Sequence, residues 1–400
     1  MIEGITCTVA SDELLTAFKI VSPAVVRKSS LPVLECILFA FDVDTQTLTL
    51  SATNLECGIT RSMPARGKES FSVCLPWRWA KEQKRKNLSD QVTLTFLPHT
   101  PNLPHTQKVL VRGIGNETVD GIESDEYPVL PTPPKTATQF TLPDAVMQAI
   151  VTAAPFTETG GVRPVLEAVH LHKLMQHVVV EAADGHRMHR ELFELDTPKF
   201  EVLIPREAVI TKNNAQGPLS TLVSLLDVDE WPIATDGARL YITFPRTTFA
   251  TRLIEGRYHD TQRIVPTISS GVRGVFNRGA FLAALEQILP AAKANNDIAR
   301  FEVIGDKDCR LWVQVSQANG KGDVVSETTL KAHVDVVVQP NGTDTLKWYG
   351  NVNYWMQALR AIGTEQVSFG YKNSHCPALF QPVGEDHTVQ HVLMPMTTKD

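Results

Sequence analysis

The chain has 400 residues, 43% of them apolar and 20% charged, with a formal net charge of −6. This composition suits a globular protein of two to four domains and argues against a surface that binds nucleic acid everywhere, though not against a local basic face. No run of 18 apolar residues occurs, no basic residue precedes Lys19, and the six cysteines (7, 36, 57, 74, 309, 376) form no CxxC pair. No membrane span, signal peptide or disulfide framework is therefore expected, and the thiols read as reduced and mostly buried in a cytoplasmic protein.

In chain order, Asp12-Glu13 precede Leu14, Leu15, Phe18, Ile20 and Val21, a helical run with its acidic residues at the favoured end. Arg27-Lys28-Ser29-Ser30 follows as a basic loop, and Val33–Phe41 and Leu48–Ser51 read as strands. Phe71–Leu75 is a further strand leading into a basic helix from Pro76 to Lys86, with Pro at its start. Val92–Phe96 and Val109–Val111 are strand-like, separated by a Pro/His/Thr-rich loop from Leu97 to Thr106. Four prolines between Pro128 and Pro134 mark an extended linker. Beyond it a helix is expected from Pro143 to Ala154, a strand from Val165 to His172, and a hairpin joining Val178–Ala182 to the strand after Asp184-Gly185. Val202-Leu203-Ile204 leads through Pro205 into a short helix. The last third offers a helix from Arg278 to Ala291, strands after Phe301, a second helix from Asn351 to Ala361, and strands ending at Met396.

One tetrapeptide orders this series. Pro32-Val33-Leu34-Glu35 recurs as Pro164-Val165-Leu166-Glu167, 164 − 32 = 132 residues later. The helical runs starting at Leu14 and Val146 each lie 18 residues upstream (32 − 14 and 164 − 146), and Phe281 stands 18 before Ala299-Arg300-Phe301-Glu302. Repetition at this long period means tandem domains rather than a solenoid. Three α+β domains are expected, 1–134, 135–267 and 268–400, each with two helices and antiparallel sheets. Domains of this size are roughly 35 Å across. Three closed in a triangle leave almost no hole; six leave a hole about one domain wide, enough for a duplex, and six require two chains.

Several blocks then resemble one family. Leu31-Pro32-Val33-Leu34 and Leu50–Ile59 look like its first-domain signature, Thr159–Leu166 and Ala183-Asp184-Gly185-His186-Arg187 like its second. Arg252–Arg257, Arg263-Ile264-Val265-Pro266 and the ending Val392-Leu393-Met394-Pro395-Met396 complete the series. The chain resembles the bacterial DNA polymerase III beta subunit, the sliding clamp or processivity factor, over nearly its whole length. The resemblance implies three tandem repeats of the DNA clamp fold in a ring-shaped head-to-tail homodimer, without catalytic residues or cofactor. Its implied partners are double-stranded DNA, encircled without sequence preference, the DNA polymerase III alpha subunit, the clamp loader and other proteins with a clamp-binding motif. The other reading is a clamp-like peptide-binding scaffold that does not encircle DNA.

Carried over residue by residue, the partner-peptide cleft comprises Arg163, Val165, Leu166, Ala183, Gly185, His186, Arg187 and Met188. To these are added His259, Arg263, Ile264, Asn351, Tyr354, Val392, Met394, Pro395 and Met396. An apolar groove rich in Met with a few polar anchors suits varied short peptides. The chain departs from the family pattern at Ala183, where Thr is usual, and at His259-Asp260-Thr261, where Pro-Asp-Tyr is usual. Arg78, Lys81 and Arg85 share one helix face with Lys84 beside it, which is a solvated charge run by itself and a phosphate-contacting face in a clamp. Arg27, Lys28, Arg206 and Lys212 join that DNA-binding set. His170, His172, His177, His186 and His189 crowd one region, but no cysteine or HExxH spacing accompanies them. They read as surface or cleft histidines, and no metal is expected. No Walker loop, GxGxxG or nucleophile motif argues for an enzyme.

Overall fold

The computed structural model describes residues 4–83, 89–97, 106–113, 116–268, 271–303, 308–316, 323–331, 333–336, 347–384 and 388–396. A similar order of elements occurs three times. It begins with β1 (Ile5–Ala10), α1 (Ser11–Val21), β2 (Cys36–Asp42), β3 (Thr47–Thr53), β4 (Cys57–Gly67), β5 (Phe71–Pro76), α2 (Trp77–Gln83), β6 (Gln91–Phe96), β7 (Thr106–Arg112) and β8 (Asn116–Ile122). It returns as β9 (Thr138–Pro143), α3 (Asp144–Ala153), β10 (Ala168–Leu174), β11 (His177–Ala183), β12 (Arg187–Glu194), β13 (Glu201–Pro205), α4 (Arg206–Val209), α5 (Pro218–Leu225), β14 (Glu230–Thr235), β15 (Arg239–Phe244) and β16 (Thr247–Arg252). The third series is β17 (Val272–Asn277), α6 (Arg278–Lys293), β18 (Ile298–Val303), β19 (Asp308–Ser316), β20 (Asp323–Lys331), β21 (His333–Val336), β22 (Lys347–Asn351), α7 (Val352–Ala361), β23 (Gln366–Tyr371), β24 (Ala378–Pro382) and β25 (Thr388–Leu393).

Contacts divide the chain into two compact units, Met1–Val151 with Phe200–Glu255, and Thr152–Lys199 with Gly256–Asp400. In the first unit the strand order is β1-β6-β7-β8-β5-β2-β3-β4-β16-β15-β14-β9. Helix α1 buries Leu14, Ala17, Phe18 and Val21, the i, i+3, i+4, i+7 stripe of an amphipathic helix. Phe18 meets Phe39 at 6.0 Å and Trp79 at 5.9 Å between ring centroids, so α1, β2 and α2 share one core. In the second unit β10-β11-β12-β25-β24-β23-β17-β21 follow one another in a sheet, and β20-β19-β18-β22 form another. Between these sheets and helices α6 and α7 lies an aromatic core of Phe276, Phe281, Phe301, Trp348, Trp355, Phe369, Tyr371 and Phe380. Five of the six cysteines are buried, and burial pushes the Cys36 thiol up to about 11 and Cys7 to about 12.

The repeated tetrapeptide is not the start of a strand, as its apolar letters suggest. Both copies, Pro32–Glu35 and Pro164–Glu167, are single 3-10 turns with Pro in the first position, and the strands begin one residue later. The repetition has a physical reason. Leu34 and Leu166 are buried, while each Glu turns back on the preceding loop: Glu35 Oε1 accepts from Ser29 N at 2.9 Å, and Glu167 Oε1 from Gly160 N at 3.2 Å and from Gly161 N. In the third series Ala299–Glu302 lacks the proline and lies inside β18. The basic helix is shorter than expected, Trp77–Gln83, and Lys84, Arg85 and Lys86 lie outside the described residues, as does most of the loop from Leu97 to Thr106. Strands β1, β4, β8, β9, β14, β15, β16 and β17 and helix α5 are additions to the sequence reading.

A second repetition shapes the site described below. β4 pairs with β16, Cys57 opposite Thr251, and β12 pairs with β25, Arg187 opposite Leu393. Past the first pair, Arg252 N donates to Glu56 O at 2.8 Å and Ile254 N to Leu203 O at 3.0 Å. Past the second, Met394 N donates to His186 O at 2.8 Å and Met396 N to Tyr349 O at 2.9 Å. The segment 394–396 is therefore an anchored tail that continues from β25 without being a strand.

Candidate functional site

All seventeen cleft positions fall in the second unit. The turn between β11 and β12 is closed by Asp184, whose Oδ1 accepts from His186 N at 2.9 Å and Arg187 N at 3.0 Å. Gly185 sits there at φ 87°, a backbone conformation that favours glycine, and the Arg163 guanidinium packs 2.8 Å from where a Cβ would stand. Arg163 bridges two loops, donating to Asp184 O at 2.8 Å and to Glu158 Oε2 at 3.1 Å. Arg187 donates to Asp184 Oδ2 at 2.9 Å and Pro155 O at 3.0 Å, and its guanidinium lies over the rings of Tyr354 at 4.4 Å and Phe156 at 5.3 Å. The His186 ring runs nearly parallel to Tyr354, 6.4 Å away. Half burial, and then the Asp184 charge, raise the Tyr354 phenol above its ordinary value. Tyr354 is placed by its helix: Asn351 is the N-cap of α7, its Oδ1 accepting from Asn353 N and Tyr354 N.

Beneath this polar rim is an apolar floor. Met188, Val392 and Leu379 are buried together, with Ala183, Val265 and Ile268 packed against them. Leu166 is buried, while Ile264 and Met394 are 42% and 39% exposed. Val165, Pro395 and Met396 are half-buried; His259 is exposed, and so is Arg263, whose Nε lies 2.9 Å from Asp260 Oδ2. The structure thus joins the hairpin turn, α7, the anchored tail and the loop after Gly256 through direct contacts, and among the described residues no contact ties the His259 side chain to Tyr354 or Met394.

The basic set falls in the first unit. Arg78 and Lys81 are exposed one turn apart on α2, and Trp77 receives Lys81 Nζ at 5.1 Å and the Arg27 guanidinium at 5.8 Å from its ring centroid. The ring thereby gathers the loop of Arg27 and Lys28 beside α2. Arg206 is only 7% exposed and donates to Asn214 Oδ1, tying α4 to the following loop. Lys212 is exposed, 3.8 Å from Glu207.

No family model matches the chain. Curated relatives do, along nearly the whole length. The beta sliding clamp of Synechococcus elongatus is 24% identical over 392 residues, covering 96% of this chain and 97% of that protein. That of Staphylococcus aureus is 24% identical over 399 residues, covering 96% and 98%. The chain is thus similar to beta sliding clamps over nearly its whole length. Solved clamps share its fold: the DNA polymerase III beta subunit of Thermotoga maritima at TM-score 0.82 and 17% identity, covering 98% of this chain and all of that one. The clamp of Bartonella birtlesii bound to griselimycin gives TM-score 0.83 at 19% identity, covering 99% and 100%.

The histidines of this chain are not a surface group. His170 and His189 are buried, His172 and His177 half-buried, and only His186 is exposed. Ligand atoms of His170, His172 and Glu181 lie within 4.8 Å of one another. Glu181 is nevertheless balanced by protein groups: Oε1 is 2.8 Å from His170 Nδ1, and Oε2 accepts from Thr261 Oγ1 at 2.5 Å and pairs with Arg190 Nε at 3.3 Å. Burial alone would raise this carboxyl, but the hydrogen bonds from His170 and Thr261 outweigh it and hold the carboxyl below its ordinary value. Sequence reasoning missed Glu181; its one signal is a lone charge in the apolar run Val178-Val179-Val180-Glu181-Ala182.

Proposed function

We propose that the chain is a DNA sliding clamp. Two copies close head to tail around duplex DNA, and the ring tethers the replicative polymerase and other replication and repair proteins. The observation that carries this reading is the likeness to beta sliding clamps over 96% of the chain. The chain acts as a non-catalytic processivity factor in the cytoplasm, organised as domains 1–134, 135–267 and 268–400. Its partners are the DNA polymerase III alpha subunit, the clamp loader and other proteins carrying a clamp-binding motif. No helix among the described residues is long and apolar enough to cross a membrane.

In this reading Arg163, Arg187 and His186 form the polar rim of the peptide cleft, with Leu166, Met188 and Val392 as its floor. Ile264, Tyr354, Met394 and Met396 supply the adaptable apolar walls. Arg27, Lys28, Arg78, Lys81, Lys84, Arg85 and Lys212 meet phosphates, with Arg206 supporting the loop between them. Such contacts carry no sequence information, which a sliding protein requires.

The test of the cleft is fluorescence polarization with a labelled polymerase C-terminal peptide, comparing the wild type with a chain ending at Leu393. Griselimycin, present in solved clamps of Pseudomonas aeruginosa and Bartonella birtlesii, is a second probe. A hot-spot wall contributes about 2 kcal/mol or more, so the truncated chain should bind about thirtyfold more weakly. Equal binding by both chains overturns this location of the cleft.

A further inference from the structure

We propose that Thr261, hydrogen-bonded to the buried carboxylate of Glu181, is a positioning residue that fixes one wall of the peptide cleft. This inference rests on the docking reading above. Glu181 is 1% exposed and stands at the centre of three strands: His170 on β10 and Arg190 on β12 are its direct neighbours in register. It therefore belongs to a rigid sheet. Thr261 does not; it lies in the 3-10 turn Thr261–Arg263 of the loop that follows Gly256.

That loop passes close to the 164–167 turn and is held to the sheet at two points. Gly256, at φ 142°, lets the backbone pass where a Cβ would stand 2.5 Å from Val165 Cγ1. Tyr258, 5% exposed, lays its ring 4.5 Å from that of His170. Thr261, 4% exposed, donates to Glu181 Oε2 at 2.5 Å. Inward-facing Tyr258 and Thr261 leave His259, Asp260, Gln262 and Arg263 facing out, and Ile264 N closes the turn on Thr261 O at 2.9 Å. Two of these outward residues, His259 and Arg263, are cleft positions, and so is the exposed Ile264. A carboxylate that accepts from a loop hydroxyl makes a charge-assisted bond, stronger than a neutral one.

Thr261→Val keeps the shape and removes the donor; Thr261→Ser restores the donor alone. Amide exchange over residues 257–264 and affinity for the labelled polymerase peptide are measured on the wild type and both variants. Loss of one hydrogen bond to a charged group should speed exchange in this loop by about tenfold and weaken the peptide by roughly fivefold to tenfold, with Thr261→Ser close to wild type. Exchange elsewhere in β11 and β12 should not change, which separates loop release from unfolding. Unchanged loop exchange in Thr261→Val overturns the pin. Faster exchange with unchanged affinity overturns its role in the cleft. A wild type that binds no peptide overturns the docking reading itself, whatever the loop does.

Discussion

Acid should loosen the strand pair that carries the tail. His189 and His391 face each other directly in the β12–β25 register, both 0% exposed, with ring centroids 4.8 Å apart. Phe156 covers both rings, at 5.4 and 5.1 Å. None of the four ring nitrogens has a hydrogen-bond partner among the described residues; Glu191 Oε2 is 3.6 Å from His189 Nε2, and the Arg187 guanidinium lies across Phe156. Burial, and behind it the neighbouring His189, pushes His391 well below its ordinary 6.5. A histidine with a depressed value stabilises the fold above its unfolded value, and that stabilisation is lost as pH falls below it, because the open state binds the proton first. Each pH unit below 6.5 then costs about 1.4 kcal/mol for this one group. Amide protection of β12 and β25, converted to opening free energies at pH 7.5 and 5.5, reads this locally without assuming one global transition. The wild type should lose about 1.4 kcal/mol more than His391→Leu over that interval. Parallel losses in the two proteins would refute the buried-histidine argument.

Two other outcomes follow from single side chains. Asn351→Ala removes the N-cap of α7 and should cost about 1 kcal/mol in urea unfolding, together with weaker peptide binding because Tyr354 sits in the uncapped turn. Replacing Arg78, Lys81 and Arg85 by alanine should lower the salt slope of DNA association by up to about three units while costing under about 0.5 kcal/mol of stability; an unchanged slope would mean that α2 faces away from DNA.

Much of the element order was legible because helices announce themselves by spacing. Leu14, Ala17, Phe18 and Val21 make a stripe that nothing else explains, and the second helix of the last third ends at Ala361 as its pattern indicates. The tetrapeptide is legible as a repeat, but its local structure is not. Val33 and Val165 favour strands by propensity, yet a proline in the first position and a glutamate that captures loop N–H groups stabilise a 3-10 turn instead. Helix α5 escaped notice because Pro218-Leu219-Ser220-Thr221-Leu222-Val223 is buried on every side and shows no amphipathic period. The cleft could not be read from pattern at all: Arg163, Met188, Tyr354 and Met394 lie far apart in sequence, and only the family resemblance grouped them. Glu181 was hidden for the opposite reason, as a charge whose partners on β10, β12 and the 261 turn are visible only once the register is known.

The central claim is that two copies of this chain enclose DNA. The direct measurement is retention on nicked circular plasmid after incubation with the clamp loader, followed by gel filtration in high salt, with half the sample cut once by a restriction enzyme. A closed dimeric ring of twice 44.2 kDa should stay with the circle and leave the cut plasmid by sliding off its ends. Equal retention on circular and linear DNA, or none on either while the polymerase peptide still binds, would contradict encirclement and leave a peptide-binding scaffold.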